Sequence, residues 1–250
     1  MYFYSAGGFP VNDELEPTLN TKAGEYAVDV YLNLKKVSHP EAPGWGTPQM
    51  IPQIVGGHMF SAQYWDGTSR QIESDPKSAT KGKFLYGLVP GSTLSGKLMH
   101  RSISSPLCAV LVNRHSPRKR QAAYMALYWG TLKNSIEIVS HPEWTFHDPW
   151  HSGHFTSPEV EKRYTKPALA AIKRNLFVTT PPIYLTGHLE FQDVLAKALS
   201  EAYVGQIKAK DVITQTEAEW RKLIAKIGKR KLKEDLASYK AAFPKVDVPA

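Results

Sequence analysis

Cysteine is almost absent from the chain. Cys108 stands alone, so no intramolecular disulfide can form and thiol counting cannot fix the compartment. It lies in Pro106-Leu107-Cys108-Ala109-Val110-Leu111-Val112, an apolar run that reads as a buried strand and makes the thiol packed and inert. No apolar stretch approaches the roughly 20 residues that a membrane-spanning helix needs. Assembled catalytic signatures are missing too: there is no GxSxG elbow, HExxH pair, Walker A loop or dinucleotide fingerprint. Ser104 beside His100 is a pairing that chance often supplies. Acid is short relative to base, with 23 Asp and Glu against 31 Lys and Arg, a net charge of +8 and a pI near 9.4. The excess gathers mainly at Arg114 to Arg120 and Lys226 to Lys233, on segments that read as helical. No RNA-recognition, helix-turn-helix or zinc-finger pattern accompanies it, so it reads as solvated helix faces and no nucleic-acid partner is expected.

What is present is an ordinary globular composition with aromatics concentrated in loops. The stretch around which the sequence reads as organised is Gly56-Gly57-His58-Met59-Phe60-Ser61-Ala62-Gln63-Tyr64-Trp65-Asp66-Gly67. Alternating apolar and polar residues with aromatic enrichment predict a strand there, and Asp66-Gly67 reads as the turn that closes it. Tyr64 and Trp65 would then sit at a strand end beside a loop, where an indole and a phenol can stack on a sugar-like ligand. Taken alone, the same residues fit a core layer equally well.

In chain order, a Gly-Gly turn at 7–8 precedes a polar loop from Asn12 to Asn20, and Asn20 or Thr21 caps a helix carrying Ala23, Ala27, Val30, Tyr31 and Leu34. Residues 40–48 form a Pro/Gly-rich loop around Trp45, followed by a short helix from Gln49 to Val55. Thr68 to Lys83 reads as a polar surface excursion and Phe84 to Val89 as a strand. Ser116-Pro117 opens a helix with Ala122, Ala123, Met125, Ala126 and Trp129 on its apolar side, ended by Gly130. Pro158 to Phe177 reads as one helix that Pro167 can disturb, Leu189 to Tyr203 as another, and Lys210 to Ile227 and Lys229 to Phe243 as a basic helical end. Strands in the first half and helices throughout predict an α/β class with a mixed sheet.

His147, Asp148, His151 and His154 are the candidate metal ligands, since imidazole and carboxylate suit zinc and similar ions. Pro149 and Gly153 oppose the regular helix that would bring them together. The preferred reading of 141–155 is a loop whose Trp and His side chains pack or touch a ligand, and no metal or other cofactor is expected. The residues thus favour a binding protein over an enzyme. The alternative is a metal-binding protein or metal-dependent hydrolase using His147, His151 and His154, and a third reading is an intact cytoplasmic interaction domain.

Several segments, in order, resemble the second half of an extracellular solute-binding protein of the sugar-binding family, the capture component of an ABC importer. Ser5-Ala6-Gly7-Gly8-Phe9 before Pro17-Thr18-Leu19-Asn20 resembles that family's Gly-Gly turn and following helix start. Gly57-His58-Met59 through Tyr64-Trp65 looks like its G-x-x-A-M…W strand, and Tyr86-Gly87-Leu88-Val89-Pro90-Gly91 its G-x-x-P-x-P-G segment. Leu107 to Asn113 with Ser116-Pro117-Arg118-Lys119-Arg120-Gln121-Ala122-Ala123, and Leu195 to Gly205 with Asp211 to Ile224, resemble its later segments.

The resemblance implies a periplasmic binding protein-like (type II) two-lobe α/β fold, here lacking most of the N-terminal lobe. By that analogy residues 1–86 form the first part of the C-terminal lobe, 87–130 return to the N-terminal lobe and hinge, and 131–250 complete the C-terminal lobe. A chain of this kind would expose apolar surface unless a partner covers it. The ligand would be a small-molecule carbohydrate held in an interlobe cleft and passed to ABC permease subunits in the inner membrane, the protein itself not spanning the membrane. Trp65 and Tyr64 would stack on the ligand, with Trp45, Arg101, Ser102 and His188 lining the cleft. His100-Arg101-Ser102-Ile103-Ser104 stands where many relatives carry a Gly-Gly pair with an aromatic, implying an acidic or highly hydroxylated ligand. The location implied is periplasmic or extracellular, although no signal peptide is recognised at the start of the sequence.

Overall fold

The computed structural model describes residues 1–104, 112–143 and 147–249. In chain order its helices are α1 (Tyr2–Ser5), α2 (Lys22–Asn33), α3 (Thr47–Val55), α4 (Gly67–Ser74), α5 (Lys119–Gly130), α6 (Leu132–Ser140), α7 (Pro158–Tyr164), α8 (Lys166–Phe177), α9 (His188–Tyr203), α10 (Ala209–Ile227) and α11 (Lys229–Ala241). Short 3-10 turns lie at Leu34–Lys36, Ala42–Gly44 and Ser152–Thr156. The strands are two residues each: β1 (Gly91–Ser92), β2 (Met99–His100), β3 (Ser102–Ile103) and β4 (Thr179–Thr180). β1 pairs antiparallel with β2, Gly91 opposite His100, and β3 pairs parallel with β4, Ser102 opposite Thr179. The mixed sheet is thus realised among the described residues as two separate two-stranded pieces.

Contacts divide the chain into two compact units, one of residues 1–42, 89–105 and 175–250, the other of 43–88 and 106–174. These boundaries differ from the expected divisions at 86/87 and 130/131, which followed the family analogy.

In the first unit α2 begins as its sequence requires. The Thr21 hydroxyl accepts the Gly24 N–H, an N-cap. Position 24 must be glycine, because a Cβ there would come within 1.8 Å of the Leu19 carbonyl oxygen. Helices α2, α9, α10 and α11 then bury their apolar stripes together around Phe191, Trp220, Leu232 and Tyr239. The Trp220 indole N–H donates to the Phe191 carbonyl at 2.9 Å, and the two rings meet edge-on at 5.6 Å. Tyr4 and Tyr239 hydroxyls share a buried hydrogen bond of 2.7 Å, which fastens α1 to α11.

The second unit has a smaller apolar core of Val139, Val160, Tyr164, Leu169 and Ile172. Here the structure departs from the sequence expectations in several places. Residues 56–66 form an irregular segment after α3, not a strand, and Phe84 to Val89 is also non-regular. Helix α3 starts at Thr47, two residues before the expected Gln49, and holds Pro52 in its interior. The expected surface excursion at Thr68 to Lys83 is internal in its first half, where α4 buries Thr68, Ser69, Arg70, Ile72 and Glu73, and exposed at Pro76, Lys77, Ala79 and Lys81 to Lys83. The segment at 158–177 is broken in two at Thr165, whose φ of 65° ends α7 before Pro167 enters the first turn of α8. The expected strand at 106–112 lies almost wholly outside the described residues, as do Cys108 and Trp144.

Helix α5 contradicts its apolar periodicity most directly. It carries no buried residue, and Tyr124, Leu127 and Trp129 are 66%, 75% and 51% exposed.

Candidate functional site

Two stretches singled out separately in the sequence converge in the second unit. The first is Tyr64-Trp65-Asp66-Gly67, which feeds directly into α4. The Trp65 carbonyl accepts the Thr68 N–H at 3.0 Å and the Asp66 carbonyl accepts the Ser69 N–H at 3.0 Å, so Asp66-Gly67 is a helix start rather than a hairpin turn. Asp66 occupies the N-cap position, but its own side chain makes no capping bond. The Asp148 carboxylate, from the His/Trp-rich second stretch, instead accepts the Gly67 N–H. A carboxylate at a helix start is favoured by the orphan amides and the helix dipole.

The cluster has a distinctive charge balance. Burial, and then the neighbouring Asp148 charge, push the Asp66 carboxyl up to about 6. Burial also raises Asp148, with the Gly67 amide and His147 pulling it back. The nearby cation cannot simply neutralise them. Arg70 is 1% exposed, and its guanidinium donates to the Val139 carbonyl at 3.0 Å and to the His141 carbonyl. Tyr164 is buried beneath, its hydroxyl donating to the His147 carbonyl at 2.7 Å and fixing the start of the loop.

Aromatic surface lies at the outer edge. Trp65 is 51% exposed, with the half-buried Tyr64 ring 5.8 Å away and tilted by 39°. Trp150 is 48% exposed and meets His154 edge-on at 4.9 Å. His154 itself is fully buried. Its Nδ1 accepts the Trp150 and His151 amides at 3.2 and 3.3 Å, which leaves Nε2–H to donate to the Ser135 hydroxyl at 2.8 Å. Burial, with a smaller contribution from His151, lowers its pKa to about 4. His151 Nδ1 accepts the Gly153 N–H at 3.1 Å. With both nitrogens of His154 engaged, His147, His151 and His154 do not converge as ligands. No group of three His, Cys, Asp or Glu among the described residues could hold a metal ion. The metal alternative is therefore not carried further.

The remaining sequence candidates are dispersed. Trp45 is half-buried before α3 in the second unit. In the first unit, His188 is exposed at the start of α9, stacked on Tyr184 at 6.3 Å. Arg101 and Ser102 are internal, 6% and 8% exposed. Arg101 donates to the His100 and Val246 carbonyls at 2.8 and 3.0 Å and pairs with Asp247 at 2.5 Å. The Ser102 hydroxyl donates to the Asn175 carbonyl at 2.8 Å and lies 2.7 Å from the Thr179 hydroxyl, locking β3 to β4. Both side chains are engaged in holding the fold together. The same unit has an open hollow of about 480 Å³ near Gly7, Gly8, Phe9, Thr18 and Lys240. Thr18 there donates to the Phe9 carbonyl and Lys240 pairs with Asp13.

The sequence did not single out Asp66 for chemistry. Its only signal was an Asp-Gly pair next to two aromatics, and nothing linear places it beside Asp148.

No family model and no curated protein sequence matches the chain. Solved structures do. The chain is similar to MalE3 of T. maritima, solved with maltose bound, at a TM-score of 0.71 and 15% identity, covering 89% of this chain and 56% of that one. It is also similar to an ABC transporter solute-binding protein of Agrobacterium radiobacter K84 in complex with ribitol, at a TM-score of 0.64 and 20% identity, covering 89% and 55%. At such identities the likeness establishes the fold, that of the type II periplasmic binding proteins. The chain spans little more than half the length of the proteins it matches. Among its described residues no helix is long and apolar enough to cross a membrane.

Proposed function

We propose that this chain belongs to the substrate-binding component of an ABC-type importer, capturing a sugar or related polyol or oligosaccharide in an interlobe cleft. In this reading it performs no chemistry, works in the periplasm or outside the cell, and delivers its ligand to permease subunits whose transport is driven by an ATPase elsewhere. The observation that carries the reading is the exposed Trp65 with the half-buried Tyr64, next in the chain to Asp66 and its neighbour Asp148, on a fold shared with proteins solved holding maltose and ribitol.

A sugar ring needs an apolar platform for its C–H face and acceptors for its hydroxyls. Trp65 and Tyr64 supply the platform, and the two carboxylates accept hydroxyl hydrogens. Trp45 and His188 are secondary candidates for the ligand shell. Screening the natural protein by equilibrium dialysis against maltose, other oligosaccharides and ribitol tests the class. Saturable binding of one such ligand, competed by close analogues, is the expected result. Uptake of none of them, with tight binding of an amino acid or peptide instead, would sink the proposal.

A further inference from the structure

We propose that Tyr164 is a positioning residue for the solute platform: from inside the second unit it sets where the turn carrying Trp65 lies, without touching the ligand. The inference rests on the solute-binding reading of Trp65. Tyr164 is 0% exposed, and a hydroxyl so deeply buried has to find partners. It donates to the His147 carbonyl at 2.7 Å and accepts from the Arg70 guanidinium. Arg70, 1% exposed, is itself held by the Val139 and His141 carbonyls at the end of α6. Arg163, next to Tyr164, donates to the Ser140 carbonyl at 3.0 Å. Helices α4 and α7 thus satisfy carbonyls that the end of α6 leaves open, and the Tyr164 hydroxyl is aimed by that arrangement.

Its consequence reaches Trp65 in three steps. The bond from Tyr164 fixes the His147 carbonyl. One residue later the Asp148 carboxylate accepts the Gly67 N–H. The next two amides of α4, from Thr68 and Ser69, go to the Trp65 and Asp66 carbonyls at 3.0 Å each. The first turn of α4 is therefore closed by Trp65 on one side and by Asp148 on the other. Moving the His147 carbonyl draws Asp148 away, opens the Gly67 amide and loosens the turn. Every residue in this series belongs to the second unit, and the two side chains at its centre are already closed to solvent. Cover supplied by further chain leaves them as they are.

Tyr164→Phe keeps the ring and deletes only the hydroxyl. In the ligand-free natural protein, amide hydrogen exchange at residues 65–69 should accelerate about fivefold, the loss of one hydrogen bond, and stay at the wild-type rate around Ile172 in the core of the same unit. Calorimetric affinity for the best sugar or polyol ligand should fall about threefold, and adding Tyr164→Phe to Trp65→Ala should cost less than it does alone. Tyr239→Phe, which deletes an equally short buried bond in the first unit, should change neither reading. Acceleration spread evenly over the second unit would make Tyr164 a structural residue only and overturn the proposal. Unchanged exchange at 65–69, unchanged affinity, or full additivity with Trp65→Ala would do the same. If the wild type binds no sugar or polyol, the solute-binding reading fails on its own, and exchange at 65–69 still decides whether Tyr164 holds the turn.

Discussion

Acidification should unfasten the 147–156 loop through His154, and the effect can be worked out from its three hydrogen bonds. The Nδ1 atom accepts two backbone amides, from Trp150 and His151, and can take a proton only by losing both. The folded pKa is about 4, against 6.5 when the group is free. A lowered folded pKa means that stability is complete above pH 6.5 and is lost as pH falls through 4. The loss is no more than about 3 kcal/mol, from 1.36 kcal/mol per pKa unit. Asp66 opposes it. Its carboxyl is raised to about 6, so it contributes stability that is present at low pH and lost as pH rises through that value. The wild-type pH profile is therefore flattened, and a difference measurement is required. Urea unfolding of wild type and His154→Asn across this range should show the wild-type advantage shrinking as pH falls from 6.5 to 4. An Asp66→Asn control should shift the profile in the opposite sense. A pH-independent difference between wild type and His154→Asn, or an NMR titration placing His154 near 6.5, would refute the reasoning.

Three further outcomes concern the frame. Trp220→Ala should destabilise the first unit by about 3–5 kcal/mol in denaturant titration, because it empties a fully buried site and removes the indole donor to the Phe191 carbonyl. Arg101→Met should cost about 1–3 kcal/mol by removing the donors to two carbonyls and one of the two cations on Asp247, Lys97 remaining as the other, yet leave solute affinity unchanged in calorimetry. Thr165→Gly should raise the thermal midpoint of unfolding, with a gain of about 1 kcal/mol from relieving a β-branched residue held at φ 65°.

The helices of the first unit were legible because their apolar stripes, caps and stops agree: Thr21 caps α2, and α9, α10 and α11 fall close to their expected spans. The second unit was less legible because its burial is polar. Helix α4 reads as a surface segment, yet Ser69 bonds back to Asp66, Ser74 to Arg70, and Arg70 to two carbonyls of the α6 end. Hydropathy cannot register burial offset by such bonds. The Gly56 to Gly67 stretch carries strand composition but pairs with no strand among the described residues, and its Asp-Gly pair begins a helix. Helix α5 fails in the other direction, with the periodicity of a core helix and no core. For the candidate site, Tyr64 and Trp65 were readable from type and position. Asp66 and Asp148 were not paired, because their proximity depends on a contact across about 80 residues of chain.

The solute-binding account stands most directly on Trp65. Isothermal titration of the natural protein with its best sugar or polyol ligand, compared with Trp65→Ala, should show affinity weakened about fivefold or more, the loss of about 1 kcal/mol expected for a stacking aromatic. Since Trp65 is half exposed, circular dichroism and the unfolding midpoint should stay near wild type. An unchanged dissociation constant in a folded Trp65→Ala protein would contradict the account.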